Sequence, residues 1–191
     1  MSGDRLLLDS LLGFYGDDHY AKELIEVLEG TKGISLRSID WFITNYSKKM
    51  NVYYQVYEVG GYPSLMMGQG GVFRGNLNVH QSYKSQLKSY SKKMFDPFCR
   101  RGRIAVEIGD QSVETTIGQL NFFRWALQNG VIEYIDEHKG AVEDDMNECL
   151  RKIKISSENK GSHKRKKREE LSLSATRGLS KTNVGIQLVF D

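Results

Sequence analysis

His80–Met94, HQSYKSQLKSYSKKM, sets two stripes side by side. Tyr83, Leu87, Tyr90 and Met94 fall at i, i+4, i+7 and i+11, the spacing of one apolar helix face. Lys84, Lys88 and Lys92 fall at i, i+4 and i+8 beside it. The pattern predicts a helix over 80–95, with Tyr83, Leu87 and Tyr90 inward and the three lysines in water. Asp96–Pro97 stops it, because proline pushes the preceding residue out of the helical region.

Both flanks read as strands. Upstream, Asn51–Glu58 (NVYYQVYE) alternates Val52, Tyr54 and Val56. A connection punctuated by Gly60, Gly61, Gly68, Gly70 and Gly71 leads to a second strand, Val72–Val79, which suggests a long-looped hairpin. Downstream, Ile104, Val106 and Ile108 alternate, and Gln111–Thr115 pairs with them across a Gly109–Asp110 turn. Thr116 then caps a helix over Ile117–Gln128 that buries Ile117, Leu120, Phe123 and Leu127, with Trp125 as a second anchor and Asn129–Gly130 as the stop. Val131–His138 and Ala141–Leu150 continue as helix, broken at Gly140.

The N-terminal third is helical by the same signals. Asp17–Asp18 precedes Ala21, Leu24, Ile25 and Leu28, and Gly30 ends the pattern. Ser35 or Ser38 opens a second helix through Leu36, Ile39, Phe42, Ile43 and Tyr46. The expected fold is α+β: N-terminal helices, a small mostly antiparallel sheet, a C-terminal helical cluster, and a basic tail ending in a strand. The organisation reads as a globular domain over 1–153, a basic polar linker over 154–183, and a terminal strand over 184–191. In that last stretch Val184, Ile186, Leu188 and Phe190 alternate as a half-buried strand does, so it needs a sheet to dock on, its own or a neighbour's.

The formal net charge of +3 conceals a segregation. Residues 74–103 hold eight basic groups (Arg74, Lys84, Lys88, Lys92, Lys93, Arg100, Arg101 and Arg103) against Asp96 alone. Residues 104–150 hold ten acids against Arg124 and Lys139. The tail is basic again, with the run HKRKKR whose charges are Lys164, Arg165, Lys166, Lys167 and Arg168. Such blocks suit a polyanion or an oppositely charged partner; the plain alternative is pairing between the basic middle and the acids after it.

Several chemistries are excluded on spacing. Two cysteines, Cys99 and Cys149, make no disulfide framework, and an intracellular, reduced setting is expected. No apolar run approaches the roughly 18 residues of a membrane span, and the acid-bearing N-terminus does not read as a signal peptide. The four histidines lie apart, with no second ligand at metal spacing. Glu143, Asp144, Asp145 and Glu148 read as a solvated helix face rather than a cation site. Cys99 lacks the arginine a phosphatase cradle places six positions on, where Ala105 stands. Gly68–Gly71 lacks the Lys-Ser/Thr of a P-loop. No nucleophile elbow is present. The expectation is a non-enzyme without metal, cofactor or small-molecule substrate.

Ser35–Lys49 (SLRSIDWFITNYSKK), Ser82–Arg101 (SYKSQLKSYSKKMFDPFCRR), Thr115–Asp136 (TTIGQLNFFRWALQNGVIEYID) and the tail from Ser172 together resemble a protein family of nucleocytoplasmic large DNA viruses, the iridovirus, phycodnavirus and mimivirus group. The resemblance implies a late or virion-associated protein and carries over no catalytic residue. Two functions are then expected. The first is a structural role in particle assembly, in the virion or the host cytoplasm or nucleus, with other virion proteins or a second copy as partners. The alternative is sequence-nonspecific binding of DNA or RNA in packaging or transcription. Its contacts would be Lys84, Lys88, Lys92, Lys93, Arg100, Arg101, Arg103 and the 164–168 run.

Overall fold

Twelve residues that are apolar nearly all round their circumference make a helix buried on most of its sides. Helix α6 (Ile117–Gln128) is that element: Leu120, Phe122, Phe123, Trp125, Ala126 and Leu127 are all buried, as are Gly118, Gln119 and Asn121. A computed structural model describes residues 3–100 and 102–158, and the remaining elements pack around this helix in an α+β fold. The chain divides into two units, residues 1–150 and 151–191. The core lies in the first; of the second, residues 151–158 are helical.

The N-terminal helices are α1 (Gly3–Phe14), α2 (Asp18–Glu29), α3 (Leu36–Trp41) and α4 (Ser47–Lys49), the last two joined through a π-helical segment, Phe42–Tyr46. Asp17 caps α2 by accepting from His19 N, and Gly30 ends it in the left-handed region at φ 75°. Ser35, rather than Ser38, is the cap of α3. Tyr15, just beyond α1, donates its hydroxyl to the Leu120 carbonyl at 2.8 Å and ties that end to α6.

Strands β1 (Tyr53–Val59), β2 (Tyr62–Ser64) and β3 (Val72–Asn78) form one antiparallel sheet in the order β2-β1-β3. The long hairpin is therefore as expected, with a short extra strand in its connection. Val52 and Val56 are buried, and Tyr54 stacks on Tyr134 at 5.0 Å. The Glu133 carboxylate accepts from Leu65 N at 3.1 Å and Ser64 Oγ at 3.3 Å, fixing β2 to the helices. Strands β4 (Ile104–Ile108) and β5 (Gln111–Thr115) pair in the expected register, but as a separate two-stranded sheet.

Helix α5 (Val79–Ser89) is shorter than the 80–95 helix expected. Tyr90 is extended, and Lys92–Met94 form a 3-10 turn. The reason lies in the next residues: Phe95 is buried among Tyr83, Phe122 and Trp125, which the chain reaches only by leaving the helix. Lys92 consequently does not share the helix with Lys84 and Lys88, although Tyr83 is buried, Leu87 and Tyr90 pack on the core, and all three lysines are exposed. Helices α7 (Val131–Glu137) and α8 (Lys139–Glu158) break at His138, not at Gly140. The His138 N–H and its ring Nδ1 both contact the Tyr134 carbonyl, ending α7 there. Helix α8 also reaches Glu158, past the expected linker start at 154.

The 92–97 segment is held against the first turns of α6. Asn121 Nδ2 donates to the Met94 carbonyl at 3.0 Å, and Gln119 Nε2 to the Pro97 carbonyl at 2.8 Å. Gly118 permits the approach: a Cβ there would lie 2.6 Å from the Lys93 carbonyl oxygen. Gly118→Ala is expected to cost about 1–3 kcal/mol, the range for overpacking a rigid contact, read in urea denaturation. In the same assay Phe123→Ala should cost about 3–5 kcal/mol, whereas Lys88→Ala should stay within about 0.5 kcal/mol. Similar small effects from all three would show that α6 is not the centre of the core.

Candidate functional site

Clamping 92–97 onto α6 assembles a cationic cavity. It has a volume of about 290 Å³ and is lined by Lys92, Lys93, Asp96, Phe98, Arg100 and Thr116. Lys92 and Lys93 come from the 3-10 turn, Phe98 and Arg100 from the chain that follows Pro97, and Thr116 from the cap of α6. Thr116 Oγ1 accepts from Gln119 N at 3.0 Å. The start of a twelve-residue helix thus faces the same space, adding the positive end of its dipole.

The acid in the cavity is largely occupied. Asp96 accepts from Phe98 N at 3.1 Å and lies 3.6 Å from Arg100 Nε. The Arg100 guanidinium also covers the Phe98 ring at 4.2 Å from its centroid, a cation–π contact that holds the charge at the rim. Asp40 of α3 lies within electrostatic reach. Burial raises its carboxyl above the usual range, Arg100 and Lys92 oppose that, and Asp96 adds to it.

The expected pairing of the basic block with the acids that follow it is realised at one place among the described residues: Arg103 meets Glu114 at 2.7 Å, on the exposed face of the β4–β5 hairpin. Arg74 pairs instead with Glu58 at 2.9 Å. Lys84, Lys88, Lys92 and Lys93 are exposed and form no ion pair among the described residues. The structure therefore brings Lys92, Lys93 and Arg100 together at one cavity, sets Lys84 and Lys88 on the outer side of α5, and separates Arg103 onto a hairpin. Arg101, the 164–168 run and Val184, Ile186, Leu188 and Phe190 lie outside the described residues.

Phe98, Asp96, Thr116 and Asp40 were not legible as parts of one site. Their only common sequence signal is Thr116 as a helix cap, which says nothing about what the cap faces. Gln119 and Asn121, polar residues in an apolar helix, were a usable sign that something must satisfy them there. Among the described residues no group of three or more His, Cys, Asp or Glu side chains is placed to hold a metal ion. Asp145 accepts from Trp41 Nε1 at 3.0 Å and also bonds Lys49. Cys99 and Cys149 are free thiols, both half-buried. No described helix is long and apolar enough to cross a membrane.

Comparison with known proteins places this architecture in a family. Residues 2–177 match DUF7197, a family of unknown function. The uncharacterised protein L507 of Acanthamoeba polyphaga mimivirus is 37% identical over 160 residues, covering 80% of this chain and 57% of the relative. The chain thus spans a little over half the length of that curated relative. No solved structure matches it. With a match over nearly the whole chain and a relative from a large DNA virus, the resemblance carried by 35–49, 82–101 and 115–136 stands, and the chain belongs to the DUF7197 family.

Proposed function

We propose that this protein is a non-enzymatic viral nucleic-acid-binding protein that grips the phosphate backbone without reading sequence, in the virion or in the infected cell. The carrying observation is the cavity at which Lys92, Lys93 and Arg100 converge on the start of α6. Lys92 and Lys93 are exposed and form no ion pair among the described residues, so they retain their attraction for phosphate, while Arg100 shares its charge with Asp96 at 3.6 Å. Phe98 at the same rim offers an aromatic edge to an unpaired base. Lys84 and Lys88 extend the basic surface along α5.

Binding to duplex DNA is expected to fall steeply with salt, the log–log slope being about −0.9 per phosphate neutralised. Replacing Lys84, Lys88, Lys92 and Lys93 together by Ala should flatten that slope by up to about four units, one per lost phosphate contact, equally on unrelated sequences. A flat salt response in the native protein, or no binding at about 50 mM salt, would leave only an assembly role.

A second reading, assembly through self-contact, is favoured by the sheet. Val72 and Phe73 on edge strand β3 are 64% and 51% exposed, and Met66 and Met67 just before it are 67% and 71% exposed. An edge strand with apolar side chains in water is a template for another chain. Sedimentation velocity of Val72→Lys/Phe73→Lys against the native chain tests it: a shift from a larger species to monomer supports assembly, and identical profiles refute it.

Asp40 supplies a pH test. Its folded carboxyl titrates above the unfolded value, so between the two ranges the folded state binds more protons and stability falls as pH rises. Asp40→Asn should therefore raise the melting temperature at about pH 7 and leave it nearly unchanged at about pH 3, where the carboxyl is protonated in both states. The same change removes a negative charge near Lys92 and Arg100 and should tighten DNA binding at neutral pH.

A further inference from the structure

On another side of α6 lies a cleft of about 520 Å³, between α1, the end of α5 and α6 itself. Arg124, the single cation of an otherwise uncharged helix, lines it. The guanidinium is half-buried, donating from Nη1 to Ser10 Oγ and from Nη2 to Asn121 Oδ1, both at 3.1 Å. No carboxylate pairs with it among the described residues. Its positive charge therefore faces the cleft with only neutral partners around it among the described residues.

The walls divide into two kinds of polar group. Trp125 Nε1 is satisfied by Ser82 Oγ at 3.0 Å, Asn129 Nδ2 by the Trp125 carbonyl at 2.7 Å, and Asn121 Nδ2 by the Met94 carbonyl at 3.0 Å. These hold the structure. Gln86, Gln128 and the Tyr90 hydroxyl line the same cleft and make no side-chain hydrogen bond among the described residues. The capacity left is thus the three N–H donors of the Arg124 guanidinium not given to Ser10 and Asn121, two amides that both donate and accept, and an aromatic ring. Gln86 stands about 200° round α5 from Lys84 and Lys88, so this cleft is separate from the lysine surface. Gln128 and Asn129 also line a second hollow of about 260 Å³, together with Arg74.

We propose that this cleft binds a nucleotide, with a phosphate on Arg124, the base edge read by Gln86 and Gln128, and the base plane against Tyr90. A guanidinium fork matches a phosphate in two parallel hydrogen bonds. Side-chain amides match the adjacent donor and acceptor on a base edge. The volume fits a ligand of that size rather than a lone oxyanion. Binding here implies no turnover, and it does not rest on the lysine-rich surface: the two sites share no residue.

Calorimetric titration of the full chain with AMP, adenosine and inorganic phosphate tests the assignment. AMP should saturate at one site and bind more tightly than either half alone. Arg124→Gln should weaken AMP by about tenfold or more, the loss of a charge-assisted pair. Gln128→Ala, at an exposed position, should weaken it about threefold while leaving the melting temperature unchanged, which guards against a misfolded Arg124 variant. The variant with Lys84, Lys88, Lys92 and Lys93 all changed to Ala should bind AMP as the native chain does, even if its DNA binding is lost. In that background, displacement of AMP by a short oligodeoxyadenylate would identify a strand as the source of the nucleotide, and absence of displacement a free one. No saturable AMP binding overturns the proposal. So do phosphate or adenosine binding as tightly as AMP, and native affinity in both the Arg124 and the Gln128 variants.

Discussion

The contact on which the rest of this structure depends is the approach of the 92–97 backbone to the first turns of α6. Gly118 leaves room for the Lys93 carbonyl, and Gln119 and Asn121 bond the carbonyls of Pro97 and Met94. Two buried amides that would otherwise be costly inside a core become the means of placing a loop. Once that loop is placed, Phe95 enters the aromatic cluster with Phe122 and Trp125, and Lys92, Lys93 and Arg100 are turned outward around one cavity. Core packing and surface charge are thus set by the same few ångströms of chain.

Electrostatics follow from this placement rather than from the charge totals. Of the acids of 104–150, Asp145 bonds Trp41 and Lys49, Glu133 holds β2, and Glu114 alone takes a cation of the basic block, Arg103, among the described residues. Ions at an exposed surface gain little from pairing, so nothing in the fold compels the lysines of α5 and the following turn to seek them. The same logic makes Arg124 unusual. It lines the wall of a cleft on neutral partners, Ser10 and Asn121.

Expectation and structure agree where the deciding physics is local. The Asp17 and Thr116 caps, the Gly30 stop, the β4–β5 hairpin and the α6 boundaries all rest on residues within a few positions of one another. The expected readings failed where a distant residue decided the outcome. Helix α5 stops at Ser89 because Phe95 is drawn to Trp125, thirty positions away, against a lysine stripe that would have let it continue. Helix α6 looked one-sided because Phe122 and Ala126 fall outside the apolar face that spacing picks out, yet both are buried. Helix α1 has no counterpart among the expected helices, since Asp4 and Asp9 around its leucines exclude only a signal peptide.

By itself the sequence determined the element types, the hairpin turns, the segregation of charge and the viral kinship, since each is written in neighbouring residues or in direct likeness to a relative. Only the tertiary structure decided which cations converge, which stay unpaired, and which polar groups line an open cleft. Convergence depends on packing among residues tens of positions apart. One glycine and two amides on α6 settle it here, and no periodicity in the chain announces what they will face.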